Sequence, residues 1–276
     1  MSARLAYTDL MNLLALDTST ERLCLALCLG HEVLAHEEPG GDQASRHLLP
    51  AAQALLAKGG LSWQGLHGLA YGEGPGAFTG IRSACAAAQG LALGLDVPAV
   101  PVPSLRIVAE NALQEAWRRG VLREGEPCRV GVAVDARMGQ VYDDQAQWDG
   151  QRWHSIRGPA VRDPAAVCEE WAGHGTASNW LCAGSGLDLM PGGTAQRLKG
   201  QCLLWMAHEV DRPAALARVA MAAWAQGPRL DAAQLMPVYV RDRVALTTAE
   251  RAAARRAAFT GVPSTDAMAK PLGAAQ

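Results

Sequence analysis

The sequence has no surplus of positive charge: 25 Lys and Arg stand against 27 Asp and Glu, a formal net charge of −2 over 276 residues. Nothing in that overall field draws it to a nucleic acid by itself. It has no C-x-x-C pair. Its seven cysteines are scattered at 24, 28, 85, 128, 168, 182 and 202, which excludes a zinc ribbon and reads as small core residues of a reduced protein. No two of its seven histidines stand four apart, as a helical metal pair would. HEVLAH, residues 31–36, is one residue too long for the zinc-protease motif, and in a strand its two rings would point to opposite faces. There is no G-x-S-x-G nucleophile elbow. No apolar run approaches the roughly 20 residues of a bilayer crossing, and no leader joins a basic start to an apolar stretch, so the expected place is the cytoplasm, with no membrane contact. What these absences leave is globular: 49% apolar and 19% charged, long enough for one large domain or two ordinary ones.

What is present centres on YGEGPGAFTGIRSACAAAQGLALGL, residues 71–95. A short buried strand, 66–71, runs into a loop with Gly72, Gly74, Pro75, Gly76 and Gly80. Glycines that dense imply backbone angles or close approaches that a side chain would forbid. Thr79 is the expected N-cap of a helix from Gly80 onward, whose free amides point back at the loop and suit an anion. The spacing is neither a P-loop nor a G-x-G-x-x-G fingerprint, so a tight strand-to-helix turn is the competing reading. The helix carries Ala84, Ala86, Ala87, Ala88, Gly90, Ala92 and Gly94, so a neighbour must pack close to its backbone.

In chain order, a buried strand at 12–16 ends in Asp17-Thr18-Ser19-Thr20, and strands at 23–29 and 32–37 follow as a meander. Asp17 and its hydroxyls either face a metal-phosphate group or tie off the hairpin turn; the residues alone leave both open. A helix capped near Ser45 runs to Gly59-Gly60, with Leu48, Leu49, Ala52, Leu55 and Leu56 as its apolar stripe. After the central loop and helix come a strand at 97–102 and a helix from Ser104 to about 119. A charged link, 118–127, marks a boundary, and the design then repeats. A strand at 129–134 ends in Asp135, and strands at 140–148 and 151–157 follow. A helix at 163–172 leads to a strand at 180–183 running into Gly184-Ser185-Gly186. A helix at 213–226 and an extended segment at 237–241 close the patterned part. Two copies of a strand–strand–strand–helix unit, each opening with an Asp, imply an α/β fold of two similar domains with a cleft between them. These are assigned to residues 12–118 and 127–245, with helix 213–226 packing back on the first and residues 1–11 and 246–276 as flexible termini.

GEGPGAFTGIRSACAAAQGLALGL is similar to the GxGPGSFTGxRxGxxxAQGLA stretch of the TsaB family, bacterial accessory subunits of the tRNA threonylcarbamoyladenosine machinery. The resemblance extends through LLALDTSTERLCLAL, SRHLLPAAQALL, VAVDARMGQVY and PVYVRDRVA, across residues 12–245 with 155–213 weak. Ala77 departs from the family's usual Ser, and Ala44 stands where many members have His. The resemblance implies an actin/hexokinase-like fold and a subunit with no catalytic residues and no metal of its own. Its role would be to pair with a TsaD-like catalytic subunit and a TsaE-like ATPase, which carry the ATP and metal, while threonylcarbamate is moved to an adenosine beside the anticodon. Contact with tRNA would come only through that complex, and members also form homodimers. It makes Asp17, Thr18, Ser19, Gly74, Gly76, Thr79, Gly80, Asp135, Gly184 and Gly186 the remnant of a nucleotide site. The helices of the first domain supply the partner interface, with Ser45, Leu49, Gln53, Arg82, Cys85, Ala88 and Gln89 as candidates. The rival reading is an independent ATP-binding or glycoprotease-like enzyme of the same superfold.

Overall fold

In a computed structural model, which describes residues 11–173 and 179–241, the repeat is a repeat of sheets. The first sheet is built from β1 (Asn12–Asp17), β2 (Arg22–Leu29), β3 (Glu32–Pro39), β4 (Gly68–Gly74) and β5 (Ala99–Pro103), in the order β3-β2-β1-β4-β5. The second takes β6 (Cys128–Asp135), β7 (Val141–Trp148), β8 (Trp153–Arg162), β9 (Trp180–Ala183) and β10 (Leu204–Met206), in the order β10-β9-β6-β7-β8. Read from its own first strand, each has the same plan: an antiparallel three-strand meander, then two parallel strands on the other side of the first. This is the expected fold class, and both sheets belong to one unit that ends at Val240.

Strands buried on both faces explain the unbroken apolar runs in β1, β2 and β4. One face of the first sheet packs Leu14, Leu16, Leu25, Leu27, Leu69 and Tyr71 against α1 (Ala44–Lys58) and α2 (Phe78–Leu95). The other packs Leu13, Ala15, Cys24, Ala26 and Val100 against Leu216, Val219, Ala220 and Trp224 of α6 (Arg212–Gln226). The second sheet is covered on one side by α3 (Ser104–Arg118), through Leu105, Val108, Ala112 and Leu113 on Val130, Val132 and Leu181. On its other side lie α4 (Pro164–Ala172) and α5 (Gly192–Lys199). The two halves therefore exchange helices: α3, from the first repeat, covers the second sheet, and α6, from the second, covers the first.

Several boundaries move from their sequence positions. Met11, placed in the leader, is buried in the core and its carbonyl accepts from Gly30 N–H at 2.9 Å; the other expected terminal residues lie outside the described ones. β4 continues to Gly74, so half of the expected loop is strand. α2 begins at Phe78 with Ala77 as its N-cap and no side-chain cap, so Thr79 is not the cap. α1 begins at Ala44, ahead of Ser45, and also lacks a side-chain cap. The small residues of α2 sort by face: Ala84, Cys85, Ala88 and Ala92 are buried against the sheet, whereas Ala86, Gly90 and Gly94 are exposed. Cys85 and Ala88 thus face the core rather than a partner, because their 84–85–88–92 spacing is the inward stripe of a 3.6-residue helix.

Candidate functional site

β1 delivers Asp17 to the sheet edge, where β2, β4 and the start of α2 converge. Its carboxylate is fully buried and both of its oxygens accept hydrogen bonds from inside the protein. Oδ1 accepts from Ser19 N–H at 3.2 Å, Ser19 Oγ at 2.9 Å and Arg212 Nη2 at 2.9 Å. Oδ2 accepts from Ser104 Oγ at 2.9 Å, and that hydroxyl accepts in turn from Gly74 N–H at 3.1 Å. The Arg212 guanidinium, 3% exposed, also donates to Ser19 Oγ at 2.9 Å and grips Glu209 through Nη1 at 2.6 and 2.7 Å. Burial opposes its charge, but the Glu209 and Asp17 carboxylates outweigh burial and hold its pKa above the ordinary arginine value.

The glycines of the loop are there to let backbone through. A Cβ on Gly72 would stand 1.8 Å from Asp17 Oδ2, one on Gly80 would stand 1.8 Å from the Thr18 carbonyl, and one on Gly76 would stand 2.3 Å from the Ser19 carbonyl. Ala77 N–H donates to Ser19 O at 2.7 Å and Thr18 Oγ1 donates to Gly80 O at 2.6 Å. These two bonds close the loop down on the β1–β2 turn.

Asp17, Thr18, Ser19, Gly74, Gly76 and Gly80 are therefore brought together, with Thr79 exposed at the edge. Asp135, Gly184 and Gly186 form the matching node at the end of β6. Asp135 Oδ1 accepts from Arg137 N–H at 2.7 Å, and Asp135 N–H donates to Ser185 Oγ at 3.1 Å. Gly184, at φ +106°, and Gly186 lie against the Ala133 carbonyl with no room for a Cβ. The two nodes are joined by an ion pair between Arg137 and Glu21 and by Tyr142 Oη, which donates to Gly76 O at 3.5 Å.

Asp17 thus does tie off its turn, but its chief partner is one that local sequence could not supply. Arg212, Glu209 and Ser104 are missing from the candidates read from sequence. Arg212 sits in DRPAAL, which reads as an ordinary capped helix start. With both oxygens hydrogen-bonded and a guanidinium opposite, the Asp17 carboxylate ties the β1–β2 turn to the start of α6. Among the described residues no group of three or more His, Cys, Asp or Glu is placed to hold a metal ion, and no helix is long and apolar enough to cross a membrane.

Of the interface candidates, Ser45, Leu49, Gln53 and Arg82 are exposed. Arg82 lies over the Phe78 ring at 3.7 Å and donates to Tyr239 Oη at 2.7 Å. Gln89 is half-buried and donates to Leu235 O at 2.8 Å.

The family model for TsaD, tRNA N6-adenosine threonylcarbamoyltransferase, matches residues 32–190. The tRNA threonylcarbamoyladenosine biosynthesis protein TsaB of Escherichia coli (strain K12) is 35% identical over 238 residues, 85% of this chain and 96% of that protein. Its Haemophilus influenzae namesake is 30% identical over 244 residues, 85% and 95% of the two chains. Among solved structures, YeaZ from Pseudomonas aeruginosa superposes with a TM-score of 0.68 at 33% identity, covering 83% of this chain and all of that one. A second Pseudomonas aeruginosa structure, described as similar to peptidase YEAZ, gives 0.69 at 34% over 84% and 100%. Matched at this identity along nearly the whole length of its relatives, this chain belongs to the TsaB family.

Proposed function

We propose that this protein is a non-catalytic subunit of tRNA threonylcarbamoyladenosine biosynthesis. It pairs with a TsaD-like catalytic subunit, works with a TsaE-like ATPase, and touches tRNA only within that complex. The relatives' names support the pathway. The observation that carries the non-catalytic reading is the Asp17–Arg212 pair: the position that would face a nucleotide is spent on holding the protein together. On this reading ATP and metal belong to the partner subunits.

The outward faces of α1 and α2 suit the pairing. Leu49 and Leu93 are 45% and 78% exposed, and a Cβ on Gly90 or Gly94 would meet nothing within 4 Å. A partner helix could therefore approach the backbone closely, and the same face would serve a homodimer. The test is the tRNA nucleoside profile of a deletion strain, complemented with the wild-type chain or with Gly90→Leu. Loss of the modification, restored by wild type and not by a folded Gly90→Leu protein that fails to co-purify with its TsaD, is the expected result. An unchanged profile on deletion would overturn the pathway, and full complementation by Gly90→Leu would overturn the face.

A further inference from the structure

Arg82, exposed on the second turn of α2, is clamped by two aromatic rings. Its guanidinium carbon stands 3.7 Å from the centre of the Phe78 ring and 5.4 Å from that of Tyr239, and its Nε donates to Tyr239 Oη at 2.7 Å. The rings themselves pack at 5.8 Å between centres. Stacking and the Nε bond fix the plane of the guanidinium. They leave its Nη1 and Nη2 groups uncommitted: among the described residues neither makes a hydrogen bond or an ion pair. Arg118, Arg157, Arg162 and Arg212, by contrast, each pair with a carboxylate.

The clamp is anchored from a distance. Tyr239 ends a segment stapled over β4 and α2: Gln89 Nε2 donates to Leu235 O at 2.8 Å, Tyr71 Oη to Met236 O at 3.1 Å, and Val238 N–H to Glu73 O at 2.7 Å. Leu235 is fully buried in the core beneath. Arg82 is therefore ordered before any partner arrives, which removes an entropic cost that binding would otherwise carry. It also heads the outward side of α2, followed at four-residue steps by Ala86 and Gly90, all three exposed. A chain with a formal charge of −2 surrounds it with no positive field of the kind a nucleic-acid backbone requires.

We propose that Arg82 is the anion-recognising residue of the docking face, and that its ligand is an Asp or Glu carboxylate on the TsaD-like subunit. This deepens the pairing proposed above and rests on it. With Nε held by Tyr239, the two Nη groups meet the two carboxylate oxygens end-on, a forked geometry that a lysine cannot reproduce.

The test measures the affinity of the full-length chain for the TsaD-like subunit of the same organism, with tRNA binding by the assembled pair as a second readout. Arg82→Lys should weaken pairing about tenfold or more, and Tyr239→Phe, which keeps the ring but frees Nε, should weaken it less. Both should leave the melting temperature of the free chain little changed. Arg82→Glu should abolish pairing, and an acid-to-Arg change on the partner should restore it. Equal affinity for wild type and Arg82→Lys would overturn this proposal and leave the pairing standing. Failure of the wild type to pair would overturn both. Unchanged pairing with weakened tRNA binding would overturn the carboxylate in favour of a phosphate ligand.

Discussion

Arg212 and Asp17 are 195 positions apart in sequence, yet their side chains meet at 2.9 Å with both of them buried. The contact ties the first turn of α6, in the second repeat, to the end of the first strand of the first. Arg212→Met leaves Asp17 buried without its counter-charge, a change that costs about 3–5 kcal/mol. Urea unfolding should show that loss, and Asp17→Asn in the same chain should recover part of it. A single-variant loss below about 1 kcal/mol would show the pair to be incidental.

Gly80 and Gly90 share a helix and should respond oppositely to the same change. Gly80→Ala puts a methyl 1.8 Å from the Thr18 carbonyl, a backbone atom with no room to yield, and should lower the melting temperature. Gly90→Ala meets open space and should gain up to roughly 1 kcal/mol of helix propensity. Thermal melts of the two variants side by side check the pair, and matching shifts would contradict it.

Ala88 and Ala86 separate core from surface on α2. Ala88→Leu overfills the contact with the sheet and should cost about 1–3 kcal/mol. Ala86→Leu, on the exposed side, should leave the denaturation midpoint unchanged while weakening co-purification with the TsaD partner. Unfolding by Ala86→Leu would move the proposed docking face elsewhere.

Glu115 is buried between two exposed arginines. Hydrogen bonds from Arg118 and then Arg119, against burial, hold its carboxyl at about 2, below the ~4.3 of an unfolded glutamate. A depressed folded pKa contributes stability that is present above the unfolded value and lost as pH falls through the folded one. Stability measured from pH 6 to 2 should therefore decline less steeply below pH ~4.3 in Glu115→Gln than in wild type. Parallel curves would refute this assignment.

Elements whose signal is local were legible from the chain. α4 and α6 begin within one residue of their expected starts, and the structure shows each capped by an aspartate, Asp163 and Asp211. The shared strand–Asp–turn–strand design of β1–β2 and β6–β7 foretold the matching sheets. Elements held by distant packing were not. β10 is three residues long and exists because β9 lies beside it, and α5 is an eight-residue helix with weak patterning. Ser104 stands where a helix is expected to start, but its hydroxyl is spent on Asp17.

By itself the sequence determined the α/β class, the duplication and the family, since periodicity, turn chemistry and a dense glycine motif are all readable over a few neighbouring residues. Only the tertiary structure decided what the candidate site is. The same Asp17, Ser19 and glycines could have framed a ligand or closed on themselves. The outcome rests on which side chain arrives from 195 residues away and on which carbonyl fills the space above each glycine. Likewise, helical spacing groups the small residues of α2 into stripes, but the stripe that turns inward is chosen by the sheet beneath it.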